Sequence, residues 1–260
     1  MGRVFLALQA CVFAAQAAQG GTVEVDLIFP RNDTYAPGPF MPVVFAVQNA
    51  AMAASLDMTI VWDIINVADP DGDGGHHGAI KLYEYNMTAA NPIFAINYAL
   101  RLNGTEAVWA VRFGLSFANC SKSVGGLTKV TRNSEDRPLL FSTKPGAPGP
   151  NLAQGPGTCV NSTGVAFNIA DTLDIPLTEL HVVDSHTYSC LVLASPPIGE
   201  ANPCAVTLNE TTAAGLLKAS CGPDTATTCL PASSAPPQAI PILVSWFLPM
   251  LAGLALCVSV

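Results

Sequence analysis

Four groups of residues in this chain have the types that site chemistry uses. Asp69-Pro70-Asp71-Gly72-Asp73-Gly74 reproduces the first half of a calcium loop, with carboxylates at positions one, three and five and glycine at six. The pattern then breaks: position twelve is Ile80, where a bidentate glutamate belongs. His76-His77 follow, but neighbouring side chains of an extended chain point to opposite faces and do not converge on one metal. His181, Asp184, Ser185 and His186 supply the residue types of a hydrolase triad, yet no Gly-x-Ser-x-Gly elbow accompanies them. Asp63, Glu84, Glu106 and Asp136 could furnish the two carboxylates of a glycosidase, which must face each other across a cleft; spacing alone does not pair them. We expect polar loops at the first three groups, with no metal site, no cofactor and no catalytic residue.

The segments that must hold these residues read as β-structure. Trp109, Val111, Phe113, Leu115 and Phe117 alternate with Ala110, Arg112, Gly114 and Ser116, which puts five large apolar groups on one face. Leu56, Met58, Ile60, Trp62 and Ile64 alternate in the same way. Shorter runs occur at Val23–Ile28, Val43–Gln48, Ile80–Tyr85, Ile93–Tyr98, Leu127–Thr131, Leu139–Ser142, Val165–Ile169 and Thr187–Leu193, most of them separated by turn formers. About ten short strands with almost no helical periodicity predict an all-β, antiparallel sandwich, Ig-like in general architecture. The Pro- and Gly-rich stretch Thr143–Thr158 predicts a long surface loop. One C-terminal helix is expected, with Asn209 capping Glu210–Ala219 and with Glu210 and Lys218 suited to the two ends of its dipole.

Both ends read as processing signals. Residues 1–20 combine a basic start at Arg3, an apolar stretch from Val4 to Ala15 and small residues at Ala15 and Ala17, as in a secretory signal peptide. Ile242–Val260 carries no charge, and the small residues Ala232-Ser233-Ser234 precede it by a short spacer, which is the layout of a glycolipid (GPI) attachment signal. The expected organisation is a signal peptide at 1–20, a secreted β-sandwich domain at 21–231 and an attachment signal with its apolar tail at 232–260. Ser233 is the expected lipid site and Ala232 the second choice. The rival reading keeps the tail as a membrane helix.

Cysteine parity agrees with that organisation. Of eight cysteines, Cys11 leaves with the leader and Cys257 with the tail, so Cys120, Cys159, Cys190, Cys204, Cys221 and Cys229 remain to form up to three bridges. A helix of ten residues spans roughly 15 Å, well beyond the 7 Å that a bridge allows, so Cys204–Cys221 requires the chain to double back. The simplest pairing is Cys190–Cys204, Cys221–Cys229 and Cys120–Cys159, with other connectivities open. Six Asn-x-Ser/Thr acceptor sites, at Asn32, Asn86, Asn103, Asn119, Asn161 and Asn209, suit a chain with only 12% charged residues, because glycans then supply solubility. The net charge is −8, and losing Arg3 makes it −9; so acidic a chain has no basic stripe with which to hold nucleic acid.

The segment GTVEVDLIFPRNDTYAPGPFMPVVFAVQNA (Gly21–Ala50) resembles the opening of a family of fungal secreted proteins known as a domain of unknown function. The run Trp109–Ser121 ending in Asn119-Cys120-Ser121, Phe141-Ser142-Thr143-Lys144, and Asn202-Pro203-Cys204 before an Ala-rich helix fit the same pattern across essentially the whole mature chain. The resemblance implies a fungal source, secretion and frequent surface anchoring, and it brings no catalytic residues. The expected function is that of a non-catalytic cell-surface or cell-wall glycoprotein, held on the outer leaflet by glycolipid or joined to wall glucan. The alternative is a carbohydrate-active enzyme or polysaccharide-binding module. A histidine at the mature N-terminus, which a copper-brace enzyme needs, is absent from the expected start. Trp62, Trp109, Phe113 and Phe117 fall on core-facing positions, leaving Tyr35, Phe40, Tyr83 and Tyr85 as outward aromatic platforms.

Overall fold

The computed structural model describes residues 20–70, 75–100, 102, 106–122, 128–153, 162–175 and 189–220, with the side chains of 122, 128–135 and 220 left aside. Two five-stranded sheets face each other. The first has the order β10-β9-β1-β3-β6, built from β1 (Gly21–Phe29), β3 (Phe40–Gln48), β6 (Ile93–Leu100), β9 (Thr163–Asp174) and β10 (Ser189–Gly199). The second has the order β2-β8-β7-β4-β5, built from β2 (Thr34–Tyr35), β4 (Thr59–Asn66), β5 (His76–Lys81), β7 (Ala107–Lys122) and β8 (Thr128–Thr143). Every pairing is antiparallel except the short β2–β8 contact. This is the predicted sandwich.

The alternating runs face inward as their period requires. Trp109, Val111, Phe113, Leu115 and Phe117 of β7 and Ile60, Trp62 and Ile64 of β4 are all buried. They meet Val43, Phe45 and Val47 of β3 and Phe167 of β9 in one core. Edge contacts between rings join the sheets: Phe45 lies 5.3 Å from Phe113, and Phe117 lies 4.5 Å from Phe167. Trp109 satisfies its indole N–H by donating to Thr143 Oγ1 at 2.8 Å, so a buried polar atom does not tax the core.

Two boundaries differ from the sequence reading, and two short elements are new. The run Ile80–Tyr85 is the end of β5 followed by a 3-10 turn at Leu82–Glu84. The part of the run Leu127–Thr131 that is described, from Thr128 on, and Leu139–Ser142 belong to one sixteen-residue strand, β8, despite Pro138 within it. Proline is tolerated there because β2 covers β8 only at Ser142 and Thr143, so among the described residues β8 is bordered on one side alone at Pro138. β2 and the short helix α1 (Ala50–Ala53) were not legible, being too brief to show a period.

The first sheet is buried on both faces at its centre: β1 from Val23 to Phe29 and β3 from Met41 to Val47 are buried without alternation. The cover is the C-terminal segment. The turn Pro203–Ala205 packs on β1 and helix α2 (Glu210–Ser220) on β6, while Val206, Leu208 and Ala213 join the core. Asn209 caps α2 as predicted, accepting from Thr212 N–H at 2.8 Å. Losing that cap should cost about 1 kcal/mol. Thermal unfolding of unglycosylated protein should therefore show Asn209→Ala clearly destabilised and Asn209→Asp, which keeps an accepting oxygen, within a few tenths of a kcal/mol of the parent. Equal melting of all three would mean that packing alone holds α2.

The Pro- and Gly-rich loop is tied down over its described part. Arg31 donates to the carbonyls of Asn151, Leu152 and Ala153, and Ala36 N–H donates to the Pro148 carbonyl at 2.7 Å.

Candidate functional site

The outer face of the second sheet holds a groove of about 780 Å³, within the range of ligand sites. It crosses β5, β4, β7 and β8, and its lining includes Val61, Asp63, His77, Ala79, Arg112, Gly114, Asp136 and Pro138. These are the residues that alternate with the core positions, so the period that builds the core also places them outside. Register brings them into rows. Val61 stands beside Ala79 and Gly114, Asp63 beside His77 and Arg112, and Asp136 beside Gly114.

The centre of the groove is an ion pair. Arg112 donates from Nε to Asp63 Oδ1 at 2.9 Å and from Nη2 to Asp63 Oδ2 at 2.8 Å, a two-pronged match of planar groups. The hydrogen-bonded Asp63, and less strongly Asp136, hold the Arg112 pKa above its ordinary value. Gly114 makes the floor. A Cβ there would fall 2.5 Å from Asp136 Oδ1 and 3.2 Å from Val61 Cγ2, so only a missing side chain lets the Asp136 carboxylate lie over β7. On the inner face of the edge strand, Gly78 makes room for the Trp62 ring, which a Cβ there would meet at 2.5 Å.

Of the four carboxylates singled out from sequence, Asp63 and Asp136 thus share the groove, while Glu84 and Glu106 do not line it. Glu84 pairs with Lys81 at 3.6 Å and Glu106 with Lys144 at 3.7 Å, both exposed. His76 and His77 lie on opposite faces of β5, His77 alone lining the groove. Asp69 is exposed and Ile80, the position-twelve residue, is buried against the core. Asp71 and Asp73 lie outside the described residues, as do His181, Asp184, Ser185 and His186. Among the aromatic platforms, Tyr35 is a correction: it is buried, with its ring 5.0 Å from Phe29 and 6.2 Å from Phe141. β2 lies against β8 there, which turns Tyr35 inward. Phe40, Tyr83 and Tyr85 are half-buried.

A second cluster was missed from sequence. Glu24 and Asp26 alternate with Val23, Val25 and Leu27 on β1 and look like the solvent side of an edge strand, yet both are buried, Asp26 completely. The C-terminal cover explains this: Glu24 accepts from Asn202 N–H at 2.6 Å. Gln48 Nε2 donates to Asp26 Oδ2 at 2.8 Å, and Asp26 Oδ1 has no partner among the described residues. Burial first, and then the adjacent Glu24 carboxyl, push Asp26 up to about 8. The hydrophobic tail of β1, continued through Ile28 and Phe29, was the signal that this strand is central.

The disulfides also correct the simplest pairing. Cys120 is bonded to Cys190, with their Cα atoms 5.9 Å apart, so neither Cys120–Cys159 nor Cys190–Cys204 exists. β7 outruns its partner β4 after Ser116, and β10 lies beside the extension, where Asn119 Oδ1 accepts from Leu193 N–H at 3.1 Å. Cys204 is bonded to a cysteine outside the described residues; Cys159, Cys221 and Cys229 lie there too. Of the acceptor asparagines, Asn32, Asn86 and Asn209 are exposed and Asn119 is half-buried, while Asn103 and Asn161 lie outside the described residues. Ser233 and the apolar tail do so as well. Among the described residues no helix is long and apolar enough to cross a membrane.

No curated protein and no solved structure matches the chain. A family model does, over residues 18–237, under the description "domain of unknown function". With most of its length matched, the chain belongs to the DUF7136 family.

Proposed function

We propose that the protein is a non-catalytic glycoprotein displayed outside a fungal cell on a glycolipid anchor, and that it works by contact through the outer face of its second sheet. The observation that carries the non-catalytic reading is the state of Asp63. Both of its oxygens are engaged by Arg112, so it is poorly placed to deliver or collect a proton. Display is supported by the two terminal signals, the glycan acceptor sites and the Cys120–Cys190 bridge, which belongs to an oxidising compartment. The outer leaflet, and beyond it wall glucan, are the partners this placement supplies.

Phosphatidylinositol-specific phospholipase C should release the protein from intact cells, and its mature C-terminus should fall at Ser233 or Ala232. Recovery of surface protein that still contains Trp246 and Phe247 by mass spectrometry would replace the anchor with a membrane helix.

A further inference from the structure

We propose that the groove across β5, β4, β7 and β8 binds a neutral, hydroxyl-rich polysaccharide chain, with Arg112, Asp63 and Asp136 as its hydrogen-bonding centre. The inference deepens the contact reading above by naming the ligand class of that face.

Charge comes first. The lining holds two aspartates, Asp63 and Asp136, and two arginines, Arg112 and Arg137, so their formal charges cancel. An anionic polymer or a basic peptide would gain little from such a site, whereas a neutral ligand loses nothing. The polar groups are nevertheless dense and of both kinds. Carboxylates accept and guanidinium N–H groups donate, and a sugar hydroxyl does both at once. Neighbouring hydroxyls can therefore bridge Asp63 and Arg112 without breaking their pair.

Backbone bonding argues against an extended peptide. β4 is paired on both sides, to β5 and to β7, and β7 to β4 and β8, so the floor offers few main-chain donors or acceptors of the kind that strand addition uses. Recognition must run through side chains. Aliphatic surface borders the polar centre: Val61 is 47% exposed, and further along the same face Val108 and Leu140 are 47% and 50% exposed. Such surface suits the C–H faces of sugar rings. The groove spans four strands, about 14 Å across at the usual strand spacing, which is longer than a single ring and favours a chain.

The described acceptor sites leave this face open. None of the acceptor asparagines lies on β4, β5, β8 or the part of β7 that lines the groove; Asn119 lies beyond it, past Ser116. Sugars on the described acceptor asparagines would thus be attached away from the strands that form the groove.

The test is binding of the natively processed, purified protein, before and after enzymatic deglycosylation, to insoluble β-1,3-glucan, chitin and cellulose. Polygalacturonate serves as the anionic arm and an extended neutral peptide as the peptide arm. Binding to at least one neutral polysaccharide is expected, with Arg112→Ala weakening it about tenfold or more, as loss of charge-assisted hydrogen bonds does. Gly114→Val, which fills the floor, should weaken it similarly, and Glu106→Gln, outside the groove, should leave it unchanged. Asp136→Asn preserves shape and guards against a folding defect in the other variants; it should weaken binding measurably while melting like the parent. Preference for the anionic polymer or the peptide, no binding to any neutral polysaccharide, or binding indifferent to Asp136→Asn and Gly114→Val would each overturn the proposal. Release of reducing ends during the same incubations would instead overturn the non-catalytic reading and leave the ligand class standing.

Discussion

Replacing Asp26 by asparagine should stabilise the protein, and the gain should grow with pH. Asp26 is completely buried and its pKa rises to about 8 from an ordinary 3.8. The folded protein therefore holds a proton that the unfolded chain gives up over most of the physiological range. The sign follows from linkage: wherever the folded state binds more protons, stability falls as pH rises. The contribution is fully present below about pH 4 and is lost progressively as pH climbs through about 8. At 1.36 kcal/mol per unit the loss reaches at most about 6 kcal/mol. An amide has the same shape, keeps an oxygen to accept from Gln48 and offers an N–H towards Glu24. Asp26→Asn should thus match the parent near pH 4 and exceed it by several kcal/mol near pH 8, read by urea unfolding at each pH. A difference between the two proteins that stays flat from pH 4 to 8 would show that Asp26 is ionised in the fold. The result also bears on the C-terminal segment, because Glu24, two residues away on the same face, anchors that segment through Asn202.

Removing the Cys120–Cys190 bridge should have the next largest effect. The bridge closes a loop of 70 residues, for which chain entropy gives about 4 kcal/mol. It also lies at the end of β7 beyond β4, in a small cluster with Ala118, Leu173 and Ile175 separate from the main core. The double variant Cys120→Ala/Cys190→Ala should melt roughly 10 °C lower, at the few degrees per kcal/mol expected for a domain of this size. Reduction of the parent should lower its melting temperature by at least as much, since Cys204 carries a further bridge. If the double variant melts within two or three degrees of the parent, ring packing such as Phe117 on Phe167 of β9, to which β10 is paired, holds β7 against that sheet without the covalent link.

Much of the groove was written in the sequence without being legible as a groove. The period-2 run from Trp109 to Phe117 determined that Arg112 and Gly114 point away from the core, and the run through Ile60, Trp62 and Ile64 did the same for Val61 and Asp63. Those are local facts, set by the alternation of Cβ directions along a strand. The cap at Asn209 and the all-β class are local or compositional in the same sense, as are the patterns on which the proposed terminal signals and glycan acceptor sites rest. What local pattern does not carry is which strands lie side by side and in what register. Asp63 meets Arg112 across 49 residues, and Asp136 reaches Gly114 through a third strand; pairings of that range depend on sheet order. Glu24 and Asp26 show the limit most plainly. By alternation they belong to a solvent face, and only the C-terminal segment, folding back across the first sheet, makes that face an interior. Cys120 and Cys190 met for the same reason: β10 pairs with β9 in one sheet yet runs beside β7 of the other, a proximity decided by how two twisted sheets pack rather than by any spacing along the chain.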